Sequence, residues 1–210
     1  AIEDPNPLVS GGGFRYLREN GIDVEIGVGA ADALRLNEVF VTFMRCHRPF
    51  VTMKVALSLD GRIAAAPGLR TQLTSSGAKH AVDLLRSEVD AIAVGSGTIL
   101  ADDPLLTLHG VHRASPLTRV IMDTRLRTPV DARLFSTLDI GPVIIVTTEE
   151  AKGLYSSQVQ ALERVGARVV TTEARDIKSA VSRLADLRLT SLLLEGGTEL
   201  HAAAWSAHIV

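Results

Sequence analysis

Several short apolar runs in this chain are followed at once by glycine or by polar residues, and four of these places could do chemistry. The first is Lys54, inside the run Phe50 to Leu57 and sharing a face with Thr52 and Ala56, just before Ser58-Leu59-Asp60-Gly61. A lysine there can anchor a phosphate or polarise a carbonyl; equally, it can serve as an edge-strand charge that discourages aggregation. The second is Gly95-Ser96-Gly97-Thr98, directly after Ala91 to Val94. Glycines after a strand let the backbone approach a ligand, and the N–H groups of a following helix can hold a phosphate. The wording is GSGTIL, however, and no acidic residue stands in the usual place for a ribose, so the standard dinucleotide fingerprint is absent. The third is Asp102-Asp103-Pro104. Successive side chains diverge, so these aspartates do not form a catalytic pair by default, and a helix-end turn is the alternative. The fourth is Glu195-Gly196-Gly197-Thr198, where a Gly-Gly pair before a helix can cradle a pyrophosphate or simply make a tight turn.

Asp123-Thr124-Arg125-Leu126-Arg127 bears on cofactor choice. Arginines beside a strand end can take the 2′-phosphate that separates NADPH from NADH, although a solvated basic loop reads the same way.

Such residues need a frame that brings strand ends together. Periodicity predicts a short helix Phe14 to Asn20 stopped by Gly21, a strand Val24 to Val28 and a helix from about Ala31 to Arg45. Arg48-Pro49 marks a boundary, because the residue before proline is pushed out of helical geometry. A strand Phe50 to Leu57 follows, ended by the turn Asp60-Gly61. Thr74, Ser75 and Ser76 then offer caps for a helix from about Gly77 to Arg86. Ala91 to Val94, Arg119 to Met122, Val143 to Val146 and Ser191 to Leu194 are too short for stable helices and fit strands covered on both faces. Helices are expected near Tyr155 to Val165, over Asp176 to Leu187 and from about Thr198. The alternation predicts an α/β fold with a mostly parallel sheet flanked by helices, its ligands bound beyond the carboxyl ends of the strands.

Composition narrows the function. Hydrophobic residues at 46% predict a buried core, and aromatics at 4% mean that Ala, Val, Leu and Ile build it. A formal charge of −2 gives no support for a nucleic-acid partner. Cys46 is the one cysteine, which excludes an intrachain disulfide and multi-cysteine zinc sites and suits a cytoplasmic location. No stretch reaches the roughly 18 apolar residues of a membrane span. Both ends read as fragment boundaries: the chain opens without Met, and Trp205 to Val210 stops where a strand could begin.

Five segments, KVALSLDGRIA, TSSGAKHAVDLLR, AVGSGTILADDPLLT, RVIMDTRLRTP and LLLEGGTELHAA, together resemble the reductase domain of the bifunctional riboflavin-biosynthesis deaminase/reductase. The resemblance covers residues 49–210, while residues 1–48 resemble the tail of that enzyme's deaminase domain and its junction. It implies a dihydrofolate-reductase-like fold and NADPH-dependent reduction of the ribose of 5-amino-6-(5-phosphoribosylamino)uracil to the ribityl chain. A divergent NADPH-binding module, or a same-fold reductase of another carbonyl or pterin-like substrate, is the alternative.

Carried over by motif, Ala56, Thr98, Asp102, Thr124 and the loop Gly197, Thr198, Glu199 and Leu200 are implied cofactor contacts. Arg86, Leu106 and Glu195 are implied contacts of a small phosphorylated substrate, with Arg86 a partner for its phosphate. Lys54 and Asp102 are implied to lie nearest the chemistry. Gln72 replaces a tryptophan that lies against the cofactor in the family, and His109 stands where an arginine commonly meets the substrate phosphate. Arg70 offers charge at a different place. No His-x-Glu with Pro-Cys-x-x-Cys is present, so neither a zinc site nor deaminase activity is expected of this chain. The resemblance also implies further strands beyond residue 210 and a homodimer in the complete protein.

Overall fold

Ala91, Ile92, Ala93 and Val94 are all buried, as a strand covered on both faces requires. The computed structural model describes residues 2–66 and 71–210. It has strands β1 (Phe50–Met53), β2 (Ala91–Gly95), β3 (Thr118–Met122), β4 (Val143–Thr148), β5 (Arg168–Thr172) and β6 (Ser191–Gly196). All strand pairs are parallel, in the order β1-β6-β2-β3-β4-β5. The last strand in sequence is therefore inserted between the first two, so the ends of β1, β6, β2 and β3 form one continuous rim.

Alternate residues of each strand feed opposite cores. On one face Ile92, Val94, Ile121, Ile145 and Leu193 pack with Ile99 of α5 (Ser96–Asp102), Ala151 of α6 (Glu149–Leu154) and Leu162 of α7 (Ser156–Arg164). On the other, Ala93, Val120, Ile144, Val146 and Leu194 pack with Val181 and Leu184 of α8 (Ile177–Asp186) and with Leu200 and Ala204 of α9 (Thr198–Ser206). At the opposite end of the sheet, the Asp90 carboxylate accepts from Thr190 Oγ1 (2.6 Å) and N (2.7 Å) and from Ser191 N (3.2 Å), which fixes β6 against β2.

The helix α4 (Ser76–Glu88) buries none of its residues. Ser75 caps it by accepting from Ala78 N, and the Arg113 guanidinium closes its far end by donating to the carbonyls of Arg86 and Val89. Polar contacts, not an apolar stripe, dock this helix.

Several elements differ from the sequence reading. Residues 24–28 form no strand, and Ile26 and Val28 are exposed. The helix expected over 31–45 is two, α2 (Ala30–Leu36) and α3 (Glu38–Cys46), because the Asn37 side chain bonds back to the Ala33 carbonyl and breaks the run. Its predecessor α1 is Gly12–Glu19. Strand β1 ends at Met53, four residues early, since Lys54 N–H to the Leu194 carbonyl is the last rung and Val55 and Leu57 are exposed beyond it. The helix expected near 155–165 is α7, and a further helix, α6, capped by Thr148, precedes it. Strand β5 lies outside the apolar runs that the sequence marks as strands: its sequence RVVTT is polar at both ends, as an edge strand allows. Residues 205–210 continue α9 and then fold Ile209 into the core instead of starting a strand. The sheet is wholly parallel among the described residues.

Candidate active site

The rim of strand ends is where the sequence-predicted residues converge. No loop separates β2 from its helix: Gly95 ends the strand and α5 starts at Ser96. Thr98, in the first turn of α5, lies over Gly196 at the end of β6, where an added Cβ would fall 2.9 Å from Thr98 Oγ1. Gly197 has φ +97°, in a region that L side chains rarely adopt, and faces the Gly95 backbone. The turns after β2 and β6 thus touch backbone to backbone. Among the described residues no side chain caps the first turn of α9, so its first N–H groups have no partner within the helix.

Glu195 is the extra residue of a register shift: Ala93 pairs with Leu194 and Val94 with Gly196. A bulge of this kind re-aims a side chain. Glu195 Oε1 accepts from Arg86 Nε and Oε2 from Arg86 Nη2, both at 2.6 Å. Arg86 Nη1 donates to the Thr107 carbonyl at 2.5 Å and lies 3.6 Å from Asp83 Oδ1. The two side chains are 16% and 8% exposed. Burial works against the Arg86 charge, but the bonds and fields of Glu195 and Asp83 outweigh it and raise the pKa above its ordinary value. Arg86 is a committed cation that holds a carboxylate.

At the end of β3, buried Asp123 Oδ2 accepts from Thr128 N (2.8 Å) and Thr128 Oγ1 (2.7 Å), closing the loop 124–128. Within it Leu126 is buried at φ +50°, an uncommon conformation for a bulky residue. Arg127 Nη2 donates to Ser96 Oγ at 3.0 Å, so this basic loop lies beside the start of α5, with Arg125 exposed. Leu106 repeats the pattern, with φ +55° and 5% exposure. Its side chain belongs to the core, as does that of Leu200, so both can meet a ligand through their backbone only.

Lys54, Glu195, Gly197, Thr98 and Thr124 therefore come from adjoining strand ends or the turns that follow them. Asp102, half-buried, closes α5; its neighbour Asp103, at φ +41°, accepts from Arg133 N at 2.9 Å. Ala56 is half-buried in the coil after β1, and Thr198 and Glu199 are exposed at the start of α9. Gln72 and His109 are exposed; Gln72 Nε2 donates to the Thr74 carbonyl, and His109 is tied through its backbone N–H to Asp83. Arg70 lies outside the described residues. Sequence reasoning missed His201, in the first turn of α9, whose Nε2 is buried without a hydrogen-bond partner among the described residues. Its place in the first turn after Gly-Gly was the available signal.

A cavity of about 400 Å³ lies elsewhere, lined by Leu106, Arg113, Leu117, Arg119 and Ile140 near the start of β3. Arg119, 1% exposed, donates there to the carbonyls of Leu134, Thr137 and Gly141 and pins the 3₁₀ turn Arg133–Thr137 to the sheet.

A family model described as RibD C-terminal domain matches residues 49–210. The chain belongs to the RibD C-terminal domain family. The riboflavin biosynthesis protein RibD of Aquifex aeolicus (strain VF5) is 34% identical over 197 residues, covering 94% of this chain and 54% of that protein. Among solved structures, Acinetobacter baumannii RibD (form 1) aligns with a TM-score of 0.81 at 32% identity, covering 100% of this chain and 57% of that one. A Thermotoga maritima protein, titled a diaminohydroxyphosphoribosylaminopyrimidine deaminase/5-amino-6-(5-phosphoribosylamino)uracil reductase, aligns with a TM-score of 0.78 at 31% identity, covering 98% and 55%. The chain spans just over half the length of these relatives. Its RibD C-terminal domain has the dihydrofolate-reductase-like fold. Among the described residues, no helix is long and apolar enough to cross a membrane.

Proposed function

We propose that this RibD C-terminal domain uses NADPH to reduce the ribose of 5-amino-6-(5-phosphoribosylamino)uracil to the ribityl chain. The observation that carries the reading is the backbone-to-backbone meeting of the Gly95 and Gly196-Gly197 turns beside Lys54 and Glu195. Such a cradle fits a dinucleotide: a Cβ at Gly196 would clash with Thr98, and the uncapped N–H groups of α9 suit a pyrophosphate. Gly197, Thr198, Glu199 and Leu200 would hold that pyrophosphate through their backbone. Ala56, Gln72, Thr98, Asp102 and Thr124 line the remainder, and Arg125 and Arg127 take the 2′-phosphate.

When bound, NADPH supplies hydride to C1 of the opened ribose, as its carbonyl or imine, while the adjoining oxygen or nitrogen takes a proton. Lys54 stabilises the charge that develops on that atom. Each Glu195 oxygen keeps one lone pair after binding Arg86, and these accept from ribose hydroxyls. Arg86, implied by its motif as a partner for the substrate phosphate, also orients Glu195, and His109 stands where an arginine commonly meets that phosphate. The Leu106 backbone closes the pocket.

In the same reading residues 1–48 are the end of a deaminase domain and its junction, joined here to α8 by His47 Nε2 and Asp186 Oδ1 at 2.8 Å. The complete protein is a cytoplasmic homodimer. Exposed Gln72 and His109, in place of the family's tryptophan and arginine, favour a second reading: a same-fold reductase of a different carbonyl or pterin-like substrate.

The test is to mix the full-length protein with NADPH and the phosphoribosylaminouracil and follow nicotinamide absorbance. Oxidation at a catalytic rate is expected. Tight NADPH binding without oxidation would overturn the substrate assignment and leave the second reading. Asp102→Ala should lower turnover on the order of a hundredfold with little change in the urea midpoint; equal loss of both would make Asp102 structural.

A further inference from the structure

Asp83 and Arg86 stand three residues apart on α4, where helical geometry puts both side chains on one face. That face meets the stretch of chain between α5 and β3. Arg86 Nη1 donates to the Thr107 carbonyl at 2.5 Å, and Asp83 Oδ1 accepts from His109 N at 3.3 Å. Nη1 and Oδ1 lie 3.6 Å apart, and the two side chains are 16% and 13% exposed. A carbonyl and the N–H two residues along are the pair of groups that one residue of a parallel neighbouring strand would take. Here a cation and a carboxylate on a helix take them instead.

This segment has little else to hold it. Between Leu105 and Leu117, His109 is the only residue whose backbone N–H has a partner among the described residues. Leu106, Thr107 and Leu108 also line the cavity of about 400 Å³, so packing on that side is incomplete. Leu106, at φ +55°, stands immediately before the two bonds, in a conformation that persists only where the surroundings over-determine it. The remaining donors of Arg86 lead to the rim, since Nε and Nη2 hold Glu195. One guanidinium thus sets the spacing between the Glu195 carboxylate and the backbone at Thr107. A single bond would leave the segment free to pivot about that carbonyl; the bond from His109 N to Asp83 removes the freedom.

We propose that Asp83 is a positioning residue of the substrate site, which with Arg86 clips Thr107 and His109 to α4 and so holds the Leu106 backbone in register with Glu195. The consequence for substrate binding rests on the reductase reading above; the clip itself does not. Among the described residues Asp83 makes no hydrogen bond to the Gly95 or Gly196-Gly197 turns, so its loss loosens the substrate side and spares the NADPH cradle.

Two measurements on the full-length protein test the clip and its role. Amide hydrogen exchange at His109, followed by NMR, should be about tenfold faster in Asp83→Ala, the loss expected for one hydrogen bond to a charged group. In Asp83→Asn, whose amide oxygen still accepts, it should stay near the wild-type rate. Both variants keep Arg86 and Glu195 paired, so the fold is retained. Unchanged exchange at His109 in Asp83→Ala overturns the clip. In steady-state kinetics Asp83→Ala should raise the KM for the phosphoribosylaminouracil about tenfold, leave kcat and the KM for NADPH near wild type, and be largely rescued by Asp83→Asn. An unchanged substrate KM, a parallel rise in the KM for NADPH, or no rescue by asparagine overturns the positioning role even where exchange rises. If the wild-type protein oxidises no NADPH with this substrate, the reductase reading fails, and exchange at His109 still decides the clip.

Discussion

Arg86 is the residue whose surroundings in the structure say most. Read as a substrate-phosphate partner from its motif, it is held by Glu195, Asp83 and the Thr107 carbonyl. Removing one member of a largely buried ion pair strands the other, which costs about 3–5 kcal/mol. Arg86→Met should therefore lower the stability measured by urea denaturation by about 3 kcal/mol. Arg86→Met/Glu195→Leu should lose less than the sum of the single changes, because Glu195 is then not left as an uncompensated charge. Additive losses would show that the pair is not coupled. Leu106 and Leu126 add a second lesson at this scale. Two buried leucines at positive φ flank the rim, each in a conformation that persists only when the surroundings over-determine it.

At the scale of elements, the site is two strand-to-helix turns pressed together. The Gly196 position has no room for a methyl group because Thr98 occupies it. Gly196→Ala should weaken NADPH binding at least tenfold, and adding Thr98→Ala should recover stability but not affinity; calorimetric titration and urea midpoints separate the two. Gly197→Ala faces a different obstacle, its φ of +97°, and should destabilise by about 1 kcal/mol. The loop after β3 depends on one carboxylate: Asp123→Ala releases both Thr128 bonds and should free loop 124–128, seen as faster amide exchange at Leu126 and Thr128. Unchanged exchange there would remove Asp123 from this role.

For the whole molecule, pH dependence rests on Asp90 and His201, since the other two carboxylates with lowered pKa values, Asp176 and Asp186, are exposed. Asp90 is pushed up by burial, but its bonds from Thr190 and Ser191 and the charge of Arg113 outweigh that and lower its pKa. The folded state then binds this proton more weakly than the unfolded chain. Its stabilising effect is present above the ordinary carboxylate value near about 4 and disappears as pH falls through the lowered one. His201 has the same sign at a higher pH: its contribution is present above about 6.5 and is lost as pH falls through its depressed value. Urea midpoints should be flat above about pH 7 and fall in two stages below it. His201→Gln should flatten the first stage and Asp90→Asn the second. A single decline confined to the most acid range would remove His201 from the account.

The fold class was legible because short apolar runs such as Ala91 to Val94 and Leu192 to Leu194 are too short for stable helices and fit strands buried on both faces, and parallel strands of that kind need helices over both. The family was legible because five motifs keep their order along residues 49–210. Sequence periodicity failed at β5, whose polar ends hide an edge strand, and past Met53, where an apolar run continues after its pairing partner has ended. The tertiary structure alone decided that β6 enters between β1 and β2, which brings Glu195 to Arg86 and Gly196 to Thr98. Local sequence dictates the direction in which a strand's side chains alternate. Which strand lies beside which, and so which charges meet, is settled by the global packing of two helix layers on one sheet.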